Sequence, residues 1–389
     1  MYLVLSTEIL GHEGGTRGYD APMSTGARRP TGPRRVTISD VAELAGVSTA
    51  AVSRSFNGAE RLPPSTVKRI HDAAAQLGWR PNATARAMKR AAAHTFGFIL
   101  LRAPDLLGSD PFFPLFLAGL EPGLSADAYA LMIRFVSTAE EEKNCYRDWV
   151  AEGRVDGFVL TDLRDDDYRL DLLAELNVPA VVAGDPGRST PSSAVFHTTD
   201  GCIREMVDGW ADRGHSRIAH VMGDPALLHA RRRRDVWAAA MAARGLRTDL
   251  IAEGGFTEAG ADQATRKLIA AENPPTAIFY GSDVMAAAGM RTLAELEVRV
   301  GVDIAIAGFD DVPLAPYLSP PLATIACDYR ELGAEAAAIL LEEVSRSHPR
   351  GRSARAGKRL ELDGAFIARA SYEIEPGPSS PRETSSSAA

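Results

Sequence analysis

The sequence is short of the residues that would place it in an oxidising compartment or a bilayer. Only three of its 389 residues are cysteine, Cys145, Cys202 and Cys327, and they lie too far apart for a zinc cluster or a disulfide framework. No run approaches the roughly 20 consecutive apolar residues that a membrane helix requires. The opening residues 1–5 lack a basic start and meet Glu8 before an apolar core long enough for a secretory signal has formed. A cytoplasmic protein with no membrane partner is expected. Positive charge is also scarce, with 43 Lys and Arg against 51 Asp and Glu. The deficit is uneven: residues 27–90 carry twelve Lys or Arg against four Asp or Glu. A small basic module on an acidic body calls for a polyanion partner of the module alone.

What is present falls into blocks. Residues 1–35 are rich in Gly, Arg, Pro, Ser and Thr without apolar periodicity and read as a disordered leader, with Met23 as an alternative start of translation. Gly11, Gly14 and Gly15 have no strand before them and no helix after, so they form no nucleotide fingerprint. Thr37-Ile38-Ser39-Asp40 resembles a capping box, and Ile38, Val41, Ala42 and Ala45 then share one face of a first helix ended by Gly46. Ser48 caps a second helix after a short turn, with Val52 and Phe56 inward and Thr49, Ala50, Ser53 and Arg54 outward. Pro63, Pro64 and Ser65 open a third helix whose Val67, Ile70, Ala74 and Leu77 complete a small core. Residues 36–80 are therefore expected to form an all-α helix-turn-helix headpiece. After Pro81-Asn82, residues 83–90 have helix propensity but are too short to be stable alone, and 81–92 is set apart as a hinge segment.

From Phe96 the texture becomes short apolar runs alternating with amphipathic helices, the pattern of parallel sheets with helices on both faces. Strands are predicted at 96–101, 129–136, 157–161 and 180–183, then at 218–222, 249–252, 277–280 and 304–307. Helices are predicted near 200–213, 229–244, 258–271 and 284–296. Two such series suggest two similar lobes over 93–373 with a cleft between them. The first lobe is assigned 94–196 plus a returning segment near 327–348, the second 197–324 plus C-terminal strands. Residues 374–389 read as a disordered tail.

Six ordered motifs resemble the lactose-repressor (LacI/GalR) family of bacterial transcription regulators: Val41-Ala42-Glu43-Leu44-Ala45-Gly46-Val47-Ser48 with Val52-Ser53-Arg54, Arg80-Pro81-Asn82-Ala83-Thr84-Ala85-Arg86, Val155-Asp156-Gly157, Gly214-His215-Ser216-Arg217-Ile218-Ala219, Gly308-Phe309-Asp310-Asp311, and Pro320-Pro321-Leu322-Ala323-Thr324-Ile325. The resemblance covers about 37–372. It implies a homodimeric repressor of double-stranded operator DNA, a body like a periplasmic sugar-binding protein, and a small sugar-like effector between the lobes, with no cofactor, metal or catalytic residue.

In a helix-turn-helix the second helix enters the major groove at its N-terminal end. Thr49, Ala50 and Arg54 are the candidates for base readout, with Arg54 able to pair bidentately with guanine. Thr37, Ser48, Ser53, Asn57 and Asn82 suit phosphates; helix capping is the alternative for each, and at Thr37 and Ser48 the two roles are compatible. The resemblance makes residues 82–90 a hinge helix that meets its dimer mate in the minor groove, with Ala85 and Met88 on the DNA side. Met88 stands where the family commonly has Leu, and Ala51 where Thr is frequent. The resemblance also places the effector against Phe112 and Phe113 of the first lobe and Arg233, Phe256 and Asp283 of the second. Val236 replaces a Gly usual in the family. Phe112 and Phe113 have a core role as their alternative. His215 is expected to be structural, and Asp310 and Asp311 to diverge at a turn near the inter-lobe crossings. The competing readings are a solute-binding protein, an α/β enzyme on a sugar or nucleotide, and an activator in place of a repressor. Residues beyond Glu375 show no leucine heptads, so dimers are expected over zipper-held tetramers.

Overall fold

Local apolar patterning builds the first unit. The structure, a computed structural model, describes residues 36–56, 62–79, 92–104, 106–346 and 357–374, and the chain divides into two compact units at Ala93/His94. In the first unit, α1 (Ile38–Ala45), α2 (Thr49–Phe56) and α3 (Pro64–Gln76) surround buried Val41, Val52 and Ile70. Gly46 adopts φ 62°, a left-handed turn that suits glycine, and so frees α2 to leave at a new angle. Trp79 closes the end of α3 by setting its ring edge-on to Phe56, 5.5 Å between centroids.

The second unit carries two parallel sheets. One contains β1 (Thr95–Leu100), β2 (Ala130–Phe135), β3 (Gly157–Leu160), β4 (Ala180–Ala183), β5 (Ser193–Thr198) and β11 (Arg359–Asp363), in the order β11-β5-β4-β3-β1-β2. The other contains β6 (Ile218–Met222), β7 (Ile251–Glu253), β8 (Ala277–Tyr280) and β9 (Ala305–Ala307), in the order β7-β6-β8-β9. Strands β3, β4 and β8 are buried along their whole length, as strands covered by helices on both faces must be. The predicted strand at 249–252 lies slightly later, at β7. β5 and β11 were not among the predicted strands. Assignment of the C-terminal strands to the second lobe is corrected for β11, which pairs with β5 in the first-lobe sheet through Arg359↔Ala194 to Asp363↔Thr198.

Helices α4 (Phe112–Ala126), α5 (Ala139–Ala151) and α6 (Tyr168–Glu175) belong to the first lobe. Helices α7 (Asp200–Asp212), α8 (Leu228–Ala243), α9 (Glu258–Ile269) and α10 (Asp283–Glu295) belong to the second. Hydroxyls of Thr138, Thr257 and Ser282 accept from the third residue onward and cap α5, α9 and α10. Helix α11 (Tyr329–Arg346) returns to the first lobe and packs on α4. Their approach is close at Gly119 and Gly333: a Cβ on Gly119 would stand 2.0 Å from the Arg330 carbonyl oxygen.

Between the lobes the chain crosses at Thr199, at Cys327-Asp328 and at Gly364. β10 (Thr324–Ala326) and β12 (Ala365–Ile367) form an antiparallel pair beside these crossings. The Gly364 amide donates to Thr198 O at 3.3 Å, and the Thr198 hydroxyl donates to Leu362 O at 3.2 Å. A side chain on Gly364 would meet Thr199 Cγ2 at 2.8 Å, so the crossings lie side by side.

Candidate functional site

In the headpiece, Asp40 Oδ2 accepts from both the amide and the hydroxyl of Thr37 at 2.7 Å. Ser48 Oγ accepts from the Ala51 amide at 3.2 Å. Thr37 thus stands at the N-cap position of α1, tied to Asp40 in its first turn, and Ser48 caps α2. Thr49, Ala50 and Arg54 are exposed on α2 and Ser53 is half-buried, while Ala51 faces the core. The Thr-to-Ala change at 51 thus falls on the packing side of the helix. Asn57, Asn82, Ala85 and Met88 lie outside the described residues.

In the body, a cavity of about 250 Å³ opens at the carboxyl ends of the strands of both sheets, where open parallel sheets receive their ligands. Arg102 follows β1, Thr161 and Asp162 follow β3, and Asp185 follows β4. Ser282 follows β8, and Phe309 and Asp310 follow β9. Three of the expected effector residues line it: Phe112, Arg233 and Phe256. Arg233 Nη1 donates to Gly281 O at 2.6 Å, and its guanidinium lies 3.4 Å from the Phe309 ring centroid. The stacking and the carbonyl bond hold the head group, which forms no salt bridge among the described residues. Phe256 sits at φ 58° with its ring over Gly223, where a Cβ would stand 2.0 Å from Phe256 Cζ.

Two expected effector residues do not reach the cavity lining. Phe113 is 1% exposed and packs in the core against Phe98, 6.4 Å between centroids. Successive helix residues point about 100° apart, so only one of an adjacent pair can face the cleft. Asp283 is also 1% exposed, and both of its oxygens are engaged: Oδ1 accepts from the Thr324 hydroxyl at 2.6 Å and Oδ2 from the Val312 amide at 2.9 Å. Burial, reinforced by Asp310, raises its carboxyl well above the ordinary range. Asp283 is a clasp between α10 and the β10 region.

Several cleft residues were not expected. Asp110 precedes α4 and accepts from the Phe112 amide at 3.0 Å; burial raises its carboxyl, with Asp162 adding to the effect. Asp310, at φ 117°, accepts from the Tyr329 hydroxyl. Burial pushes its carboxyl up to about 7 against the pull of Arg233. Asp311 turns away to Arg369 at 2.7 Å, so the adjacent pair does diverge. Burial also holds His197 down to about 4 and His229 well below the usual imidazole value. Arg102 pairs with Asp162 at 2.8 Å. The Asp162 carbonyl is in turn held by buried Arg169, which also binds Asp167 at 2.7 Å. Position after a strand end was the signal that would have found Asp310. His215, outside the cleft, bridges Thr276 Oγ1 at 2.9 Å and Ile374 O at 3.0 Å, a structural role.

Comparison with known proteins agrees with this geometry. Residues 37–82 match the model for bacterial regulatory proteins of the lacI family, and residues 207–372 match a periplasmic binding protein-like domain. The chain is 32% identical over 318 residues to the HTH-type transcriptional repressor PurR of Photobacterium profundum, covering 81% of this chain and 94% of that one. It belongs to the LacI family. The CytR repressor of Escherichia coli K12 is 29% identical over 345 residues, 87% of this chain and 97% of that one. The lac repressor dimer bound to operator and the anti-inducer ONPF superposes with TM-score 0.77 at 26% identity, covering 87% and 99%. The regulator CelR in complex with cellobiose gives 0.65 at 27%, covering 87% and 100%. This LacI-family chain is a DNA-binding transcriptional repressor with an effector-binding domain, and it is not an enzyme. Among the described residues no helix is long and apolar enough to cross a membrane.

Proposed function

We propose that the protein binds a palindromic operator in the cytoplasm as a homodimer, under the control of a small sugar-like effector held between its lobes. The observation that carries the effector half is the cleft itself. Apolar faces of Phe112 and Phe256, a stacked Arg233 and inward carboxyls converge at the strand ends of both sheets, the mixture of faces and charged hydrogen-bonding groups that suits adjacent hydroxyls. The cellobiose complex of the related regulator CelR supports the same class.

On the DNA side, Thr49, Ala50 and Arg54 read bases while Thr37, Ser48, Ser53, Asn57 and Asn82 approach phosphates. Residues 81–92 order as a hinge helix on DNA, with Ala85 and Met88 toward the minor groove. Two headpieces require half-sites about one helical turn apart. The effector changes the angle between the lobes and so the spacing of the two hinges. Coupling of this kind is typically about 1–3 kcal/mol and is reciprocal.

Fluorescence anisotropy on operator DNA, with and without a panel of sugars, tests the reading. A panel member that shifts operator affinity, and whose effect is abolished by Arg233→Ala, is the expected result. Operator binding insensitive to every ligand that stabilises the protein would reject the coupling.

A further inference from the structure

We propose that the effector carries a basic nitrogen: an amine-bearing sugar, or a similar polyhydroxylated amine, bound as its cation against Asp110 and Asp310. The inference rests on the cleft being the effector site.

It comes from the charges on the cleft wall. Five carboxylates, Asp110, Asp162, Asp185, Asp200 and Asp310, face three guanidiniums, Arg102, Arg232 and Arg233. Two of the guanidiniums are already spent. Arg102 is paired with Asp162 at 2.8 Å, and Arg232 is clamped by Asp200 at 3.0 Å and by Asp185, which Arg359 also neutralises from outside the lining at 2.5 Å. Asp110 and Asp310 form no ion pair among the described residues; Asp110 accepts from the Phe112 amide, and Asp310 accepts from the Tyr329 hydroxyl and the Asp283 amide, all neutral donors. The remaining cation, Arg233, directs Nη1 to Gly281 O and lays its face on Phe309. His197 and His229 add no positive charge, because burial keeps both neutral.

The cavity therefore holds two carboxyls for one cation, and burial penalises the ionised form of each. A neutral polyol can donate hydrogen bonds to them but brings no charge. An ammonium brings three donors and the missing positive charge together, and charge-assisted bonds are the stronger kind. An anionic effector would add to the excess and is disfavoured.

The test uses the full-length protein near neutral pH, with calorimetry and thermal shift on matched probes: glucosamine with glucose, galactosamine with galactose, deacetylated chitobiose with cellobiose, and glucuronate as the anion. In at least one pair the amine is expected to bind about tenfold more tightly, the size of one charge-assisted bond. That preference should shrink in high salt for the wild-type protein. It should also be lost in Asp110→Asn and Asp310→Asn, with far-UV circular dichroism and a cooperative thermal melt reporting that the variants fold. Neutral members binding equally or better in every pair, or glucuronate binding best, overturns the amine and leaves the effector cleft standing. No binding by any probe overturns both the amine and the sugar-like class.

Discussion

The Thr324 hydroxyl donates to Asp283 Oδ1 at 2.6 Å, and by that bond the first turn of α10 is fastened to β10. Gly308 makes room for it, since a Cβ there would stand 2.1 Å from the same oxygen. Asp283→Ala strands the Val312 amide in the interior and leaves the Thr324 hydroxyl only the Asp311 amide, which donates to its oxygen at 3.3 Å. Unpaired buried groups cost about 1–3 kcal/mol each. The variant should therefore melt earlier in urea while its folded fraction keeps wild-type ligand affinity. Lost ligand affinity at unchanged stability would return Asp283 to the binding site.

Phe112 and Phe113 are neighbours with different duties. Phe113→Ala empties a core position and should cost about 3–5 kcal/mol in chemical denaturation. Phe112→Ala removes a cleft wall, so its principal effect should be a smaller ligand-induced rise in melting temperature. Equal loss of stability from both substitutions would contradict this division.

Asp310 should give the body a pH dependence of stability. Its carboxyl titrates near 7 when folded, above the ordinary value near 4 in the unfolded chain. The folded state therefore binds the proton more strongly, and stability falls as pH rises from about 4 to 7. Asp283, Asp110 and Arg233 share the surroundings, and Tyr329 donates to the carboxylate. Asp310→Asn should remove this part of the slope and raise stability at neutral pH by something on the order of 2 kcal/mol. Thermal melts of the two proteins across that range, with identical slopes, would refute it.

Arg54 stands exposed on α2. If it pairs with guanine, Arg54→Ala should lose about 1–3 kcal/mol of discrimination per half-site, seen as a larger loss on operator than on random DNA in competition binding. Equal losses on both would make it a phosphate contact.

The local elements were legible because they depend on near neighbours. α1 and α2 follow from a capping pair and a glycine, and β3, β4 and β8 from unbroken apolar runs. β5 and β11 were missed because β11 is polar on alternate positions and acquires its place only by pairing with a strand about 165 residues earlier, Arg359↔Ala194. In the cleft, the family resemblance pointed to Phe112, Arg233 and Phe256, which line the cavity. The same reasoning misplaced Asp283, since a carboxylate after a strand end can turn toward the ligand or toward the next strand. Asp110 was missed because a residue ahead of a helix reads as a cap, and nothing local shows that it also borders a cavity assembled from distant segments.

Gly364 lies close enough to Thr199 and Ala326 that the three crossings form one narrow band. Three ribbons abreast behave as a door hinge does: they bend together about one line and resist both twist and slide. A ligand in the cleft would then reach the rest of the body chiefly as a change in that one angle. Ligands of quite different shape would thus be ranked by a one-dimensional signal, and a bulkier compound that props the lobes apart would act as the opposite of one that draws them together.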